Sequence, residues 1–336
     1  MHKPLISIIL PTYSRCAMLS DALDSLLSQE TCGQFEYELV VIDNASNDST
    51  REIVEEAGRR SSVTVRYCYE DDPGPAPARN CGLRHAAGDW FAFFDDDEVA
   101  DANWLLELYR AADETGAQIV GGAMHLDLPE EVLGRLNQFV RRTSLREIKY
   151  YEKTCPYDPS RLPGTNNALV ARRVFDELGA FDTSFRSGGS DSDFFLRARS
   201  AGIELCYTPL AIVRHRVAPN RLTTEYFRWD AIQGCSAFAG LDYEHRGAAV
   251  LVTLCAARLG HALAIVTPQL AWSWLTRNPA EMLGQRVRLW RAEGYARRTL
   301  ALLAPRLFPQ TRYFEALHFR HGREVGQQNT PMEATT

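Results

Sequence analysis

Residues Trp90–Asp101 read W-F-A-F-F-D-D-D-E-V-A-D. An apolar run stops abruptly at Asp95, Asp96, Asp97 and Glu98. A buried strand cannot carry three adjacent carboxylates in its interior, because isolated ionised carboxylates are very costly to bury. They must sit at the strand's exit, where open α/β sheets bind their ligands. Clustered carboxylates repel one another unless a cation joins them. A hard divalent metal suits such a cluster, and Mg²⁺ or Mn²⁺ usually brings a phosphate with it. An acidic cap on the following helix is the simpler alternative, but one Asp would suffice for that.

Outward from this stretch, short apolar runs alternate with amphipathic segments over the first 210 or so residues. Ile6–Leu10 reads as a buried strand. Ala22, Leu23, Leu26 and Leu27 share one helical face. Tyr37–Ile42 is the next strand and runs into the turn-rich Asp43–Thr50. Val63–Tyr69 is a third strand, Pro73–Pro77 a loop by composition, and Ala78–Ala87 a short helix ahead of the Trp90–Phe94 strand. A helix over 103–116 and a strand over Ile119–Met124 follow. Residues 127–163 are irregular and charged. Gly164–Val170 returns to strand character, Asp191–Ala201 reads as a helix and Ile203–Tyr207 as a strand. Strands alternating with helices predict an α/β fold with a largely parallel sheet.

After about residue 220 the pattern becomes helical. Ala248–Ala257 and Leu259–Trp274 are apolar but are divided by Arg258 and interrupted by His261, Pro268 and Gln269. A spanning helix needs about 20 mostly apolar residues, so these read as buried or interfacial helices. Arg286, Arg288, Arg291, Arg297 and Arg298 then alternate with Leu289, Trp290, Tyr295 and Leu300, the pattern of a basic amphipathic helix. The domains expected are 1–220, catalytic, 221–325, helical, and 326–336, a disordered tail.

The 336 residues suit one large domain with an appendage. Eight scattered cysteines without a C-x-x-C pair argue against zinc and disulfides and for a reducing compartment. The apolar run Leu5–Leu10 is too short for a secretory signal and leads straight into a turn, so none is expected. Residues 245–336 hold 12 Arg and five Glu, a charge of +7, and the remainder carries −13. An acidic body with a basic end suggests contact with an anionic surface, or only a solvated helical face. Nothing points to a nucleic-acid partner.

Four segments stand out at strand ends or loops: Pro11-Thr12-Tyr13-Ser14-Arg15, Asp43-Asn44-x-Ser46-x-Asp48, Gly74–Gly82 with Ala78-Arg79-Asn80-x-Gly82, and Asp95-Asp96-Asp97. Their order and spacing resemble the family 2 glycosyltransferases of the GT-A fold, over about residues 5–216. The resemblance implies a Rossmann-like, mostly parallel sheet flanked by helices, with a helical C-terminal extension.

It also implies roles. Pro11, Thr12, Tyr13 and Arg15 would lie against the nucleotide sugar. Asp43 matches the family's uracil-contacting acid, which suits a UDP-sugar, and Asp72 is a second base contact. Arg79 would meet the diphosphate, where a guanidinium fork suits phosphate. Asp95 and Asp97 match D-x-D: Asp95 faces the ribose, Asp97 binds Mn²⁺ or Mg²⁺, and Asp96 helps through sugar hydroxyls or by supporting its neighbours. Gly188-Gly189-Ser190-Asp191-Ser192-Asp193 resembles the family's G-G-E-D-x-D segment, with Ser190 where Glu is common. Asp191 is then the catalytic base and Asp193 its backup. His215 lies where many relatives place a metal-ligating histidine.

Glu225-Tyr226-Phe227-Arg228-Trp229 partly echoes the Q-x-x-R-W motif of processive relatives, but their membrane channel is missing, which implies one sugar added per encounter. The resemblance thus implies a metal-dependent, inverting transfer to a saccharide or lipid-linked saccharide in bacterial surface-polysaccharide synthesis. The expected location is cytoplasmic, with peripheral attachment to the inner membrane. A sugar-nucleotide nucleotidyltransferase should instead carry a glycine-rich basic loop after the first strand, where this chain has Pro-Thr-Tyr-Ser-Arg. The glycine fingerprints of NAD and P-loop enzymes are absent. A non-catalytic nucleotide-sugar-binding scaffold would not need Asp95, Asp97 and Asp191 together.

Overall fold

The computed structural model describes residues 3–185 and 189–308. Gly188 of the quoted motif, part of the 221–325 region and the whole 326–336 tail lie outside the described residues. The strands are β1 (Leu5–Thr12), β2 (Glu36–Asp43), β3 (Thr64–Tyr69), β4 (Trp90–Phe94), β5 (Glu98–Ala100), β6 (Ile119–Asp127), β7 (Cys155–Pro156), β8 (Asn167–Ala171) and β9 (Leu205–Arg216). Between them run α1 (Cys16–Leu27), α2 (Thr50–Arg60), α3 (Pro75–His85), α4 (Trp104–Thr115), α5 (Glu130–Gly134), α6 (Gln138–Ser144), α7 (Arg172–Leu178) and α8 (Ser190–Ser200). Among the described residues, α9 (Thr224–His261), α10 (Thr267–Leu275) and α11 (Pro279–Leu303) follow.

The sheet order is β3-β2-β1-β4-β8-β6-β9-β5, with β7 against β9. The first four strands are parallel. β8 enters antiparallel to both β4 and β6, β6 and β9 are parallel, and β5 pairs antiparallel with β9.

Continuous apolar runs form the central strands because both faces of the sheet are covered. Side chains alternate across a strand, so Ile6, Ile8, Leu10, Leu39, Val41 and Phe94 join one core with Leu19, Leu23 and Leu26 of α1 and Trp104 of α4. Ile9, Val40, Ile42, Phe91 and Phe93 join the other with Cys81 of α3 and Phe194 and Phe195 of α8. Gly82 lets α3 approach the sheet: a Cβ there would meet Ile9 Cγ2 at 2.6 Å and Ile42 Cδ1 at 2.8 Å.

Three sequence expectations change. Pro75–Pro77 are the first turn of α3, not loop, because proline at a helix start lacks only an N–H that would have no helical partner. The stretch 127–163 contains α5 and α6. The strand expected at Ile203–Tyr207 continues to Arg216, because β5 and β6 both pair with its second half.

The chain divides into two units. The first comprises Met1–Asp127, Ile148–Ser184 and Ser190–Arg216, and the second Leu128–Glu147, Phe185–Gly189 and the chain from Val217 on. In the second unit α11 packs along α9, which Gly247 (φ 80°) interrupts. Of the five arginines expected on a basic face, Arg286 and Arg297 are exposed, while Arg288, Arg291 and Arg298 are half-buried. Arg297 pairs with Glu293 at 2.7 Å, Arg288 stacks on Phe139 at 3.7 Å, and the charges of Arg291 and Arg298 act on Asp230 and Glu244.

Candidate active site

The site is built where β1, β2 and β4 end side by side. Thr12 closes β1 in register with Asp43 at the end of β2, and Pro11 stands beside Ile42. β4 ends at Phe94, which places Asp95–Asp97 at the same edge.

Asp96 is buried. Its Oδ2 accepts from the Thr12 hydroxyl at 2.8 Å and the Tyr13 N–H at 3.4 Å, and its Oδ1 accepts from Arg15 Nη1 at 2.7 Å. Asp96 thus anchors the loop leaving β1. The same Arg15 nitrogen lies 2.9 Å from Asp97 Oδ2. His215 Nε2 approaches that oxygen at 3.4 Å. β9 delivers the imidazole by pairing His215 with Glu98, and the Arg216 N–H donates to the Asp97 carbonyl at 2.8 Å.

Arg79 Nη2 reaches Asp95 Oδ1 at 3.3 Å. The Asp95 side chain is 36 % exposed. Protein packed around its carboxyl nevertheless raises it to about 6: Arg79 opposes this, and the Asp97 and Asp96 charges add to it. Glu98 is buried, with Oε1 accepting from Asn166 Nδ2 at 2.9 Å and Oε2 left without a partner. Burial first, then Asp95 and Asp97, pushes its carboxyl well above the usual range. A second cation would relieve this crowding of acids.

Asp97 and His215 are a hard carboxylate and an imidazole on one point. Among the described residues no three His, Cys, Asp or Glu side chains form a cage that would hold a metal unaided. That donor set still fits Mg²⁺ or Mn²⁺, which commonly use few protein ligands and fill the remainder with phosphate oxygens and water.

Asp43 is buried, its Oδ1 accepting from the Ser46 N–H and its Oδ2 from the Tyr67 hydroxyl, both at 2.7 Å. Sequence reasoning gave no role to Asn44, which organises the neighbouring loop. Its Nδ2 donates to the carbonyls of Glu70 (2.9 Å) and Asp72 (2.8 Å), and its Oδ1 accepts from the Gly74 N–H at 2.8 Å. Asp72 is therefore held by its backbone. An Asn in a turn-rich segment gave no sign of this, since turns favour Asn anyway.

Asp191 lies in the first turn of α8, within the helix rather than at its cap. Its Oδ1 accepts from the Ser192 N–H at 2.8 Å. Asp193 is buried, and its carboxylate pairs with Arg197 at 2.9 Å, which in turn donates to the Leu178 and Ala180 carbonyls. Asp193 thereby reads as a brace for α8. Among the described residues, no hydrogen bond or ion pair joins Asp191 to the Asp95–His215 cluster.

Comparison with known proteins agrees with this geometry. The family model Glycosyl transferase family 2 matches residues 7–179. The chain is 27 % identical over 228 residues to glycosyltransferase AglE of Haloferax volcanii, covering 67 % of this chain and 71 % of that one. It is 31 % identical over 223 residues to the succinoglycan biosynthesis protein ExoM of Rhizobium meliloti, covering 64 % and 68 %. Its fold resembles that of the Pyrobaculum calidifontis mannosyltransferase PcManGT, solved with GDP-Man and Mn²⁺, with a TM-score of 0.57, 19 % identity and coverage of 91 % and 88 %. It also resembles residues 1–349 of S. aureus TarS, with a TM-score of 0.52, 16 % identity and coverage of 91 % and 92 %. The fold is GT-A, and glycosyl transfer prevails over the nucleotidyltransferase and scaffold alternatives. With its acidic cluster at the strand exits and its family match over half its length, the chain belongs to glycosyl transferase family 2.

Proposed function

We propose that the enzyme moves a sugar from a UDP-sugar to a hydroxyl of a saccharide or lipid-linked saccharide, with inversion and with Mn²⁺ or Mg²⁺. Synthesis of a cell-surface polysaccharide is the setting that its relatives suggest. The observation that carries the reading is the convergence of Arg15 and His215 on one oxygen of Asp97, beside Asp95 and Arg79.

Asp97 and His215 would hold the metal, which when bound supplies positive charge against the diphosphate leaving group. Arg79 binds the same diphosphate through its guanidinium fork. Asp95 orients the ribose, Asp96 fixes the loop Tyr13–Arg15 against the nucleotide, and Asp72 borders the base. Both Asp43 oxygens already accept one hydrogen bond each. Each oxygen keeps acceptor capacity for a base N–H, and the choice of uridine rests on the match of Asp43 to the family's uracil-contacting acid.

Asp191 accepts the proton of the acceptor hydroxyl as its oxygen attacks the anomeric carbon, in one in-line displacement that inverts the centre. Such general-base help is worth roughly 10²–10⁴-fold. A screen of nucleotide sugars for metal-dependent nucleoside diphosphate release, with the product anomer assigned by NMR, tests the reading. UDP release that stops in EDTA, with an inverted product, is expected. Full activity in EDTA, a retained anomer or a preference for GDP-sugars would refute the corresponding part.

A further inference from the structure

One helical stretch is long and apolar enough to cross a membrane. It lies within Thr224–Leu275, with a mean hydropathy of 1.9 over its most apolar 18-residue window and 17 % of that window buried. Beyond Gly247, only one stripe faces inward: Leu251, Ala262, Val266 and Ser273 are buried. Leu251 packs with Tyr295 of α11. Arg258, the one charged residue between Arg246 and Arg277, turns inward and lies 4.4 Å over the Tyr295 ring.

The outward side is mostly apolar, with Thr253, His261, Thr267 and Gln269 as its exposed polar residues. Leu263 is 73 % exposed, Trp272 and Trp274 68 % each, Leu275 66 %, Val252 48 % and Ile265 45 %. A soluble surface rarely keeps so long an apolar strip open. No Asp or Glu occurs between Glu244 and Glu281, a stretch that holds three arginines.

We propose that this face of residues 248–275 docks in the headgroup–acyl boundary of an anionic lipid bilayer, lying in its plane. Crossing is disfavoured because α11, packed along the same stretch, carries Glu281, Arg286, Arg291, Glu293 and Arg297, which a spanning hairpin would carry into the hydrocarbon. Exposed Trp272 and Trp274 suit the interface, where amphipathic rings concentrate. Acid-free flanks carrying Arg246 and Arg277 suit anionic headgroups. A second copy fits less well, because antiparallel pairing of the strip would bring Arg246 of one copy towards Arg277 of the other. Attachment rests on the apolar strip, and it stands independently of the sugar-transfer reading.

The test is co-sedimentation of the full chain with vesicles of phosphatidylcholine alone or mixed with phosphatidylglycerol, at low and high salt. Binding that is stronger with phosphatidylglycerol, largely survives high salt and is released by alkaline carbonate is expected. Trp272→Ser with Trp274→Ser should lower partitioning by about tenfold or more while thermal melting is unchanged, as apolar area sets interfacial binding. Leu263→Ser with Ile265→Ser, on the same strip, should do likewise and guards against a folding defect in the first pair. Absence of vesicle binding at any salt, resistance to carbonate, or a lipid-free dimer that these substitutions split would each overturn the proposal.

Discussion

Arg15 Nη1 lies 2.9 Å from Asp97 Oδ2, the oxygen that His215 also approaches. A side chain of the protein thus occupies part of the charge demand that a divalent ion would meet. A metal held at Asp97 would compete with the Arg15 contact for one carboxylate. Arg15→Gln should tighten Mn²⁺ binding without donor by about three- to tenfold, the effect of removing a competing ion pair worth about 1 kcal/mol. UDP binding should weaken in the same variant. Electron paramagnetic resonance of free Mn²⁺ measures the first and calorimetry the second. Unchanged Mn²⁺ affinity would mean that Arg15 does not compete.

Asp97→Ala removes the carboxylate that both partners share. Mn²⁺-dependent UDP affinity and turnover should disappear while the far-ultraviolet circular dichroism and melting temperature stay near those of the parent. His215→Ala should weaken metal binding less, since Asp97 remains. A His215→Ala enzyme with parental Mn²⁺ affinity would remove the imidazole from the ligand set.

Asp191→Asn should keep donor affinity and cut turnover by about 10²-fold or more, the scale of a lost general base. Asp193→Asn should instead lower the melting temperature, because Arg197 loses its buried partner. If Asp193→Asn is the deader enzyme at a temperature where both are folded, the base has been placed two residues too early.

Glu38 tests the lower end of the sheet. Burial pushes its carboxyl up, but the Ala87 N–H, the Ser7 hydroxyl and Arg66 outweigh this and hold it below the usual carboxylate range. A depressed folded-state value stabilises the protein above the unfolded value, and the gain is lost as the pH falls through the folded one. Glu38→Gln should therefore lower stability at neutral pH by about 1–3 kcal/mol. Urea unfolding across pH should show the gap narrowing towards acid. A gap that stays constant into acid would show that the charge of Glu38 adds nothing.

Asn44→Ala should loosen the loop it holds through the Glu70 and Asp72 carbonyls and the Gly74 N–H. The donor KM should rise about tenfold, with kcat less affected, as expected when a binding wall rather than the chemistry is disturbed. A fall in kcat alone would assign Asn44 a different part.

The sequence by itself determined the central strands and the carboxylates at their exit. Ile8–Leu10 and Leu39–Ile42 are apolar on both faces, and three adjacent acids cannot remain inside a sheet, so short windows held the answer. It could not show that β9 runs on through the charged Arg214-His215-Arg216, because that extension depends on pairing with β5 and β6, which are distant in sequence. The meeting of His215 with Asp97 was decided there. The arginines of 286–298 likewise had two readings, an anionic surface or a solvated helical face; the fold half-buries Arg288 over Phe139 and Arg291 within the field of Asp230, and it leaves Arg286 and Arg297 exposed. Periodicity and turn chemistry are local properties of a chain. The partner that a buried or half-buried charge finds is set by whichever non-local contact best offsets its desolvation, and that contact exists only once the sheet and the helix pair have closed.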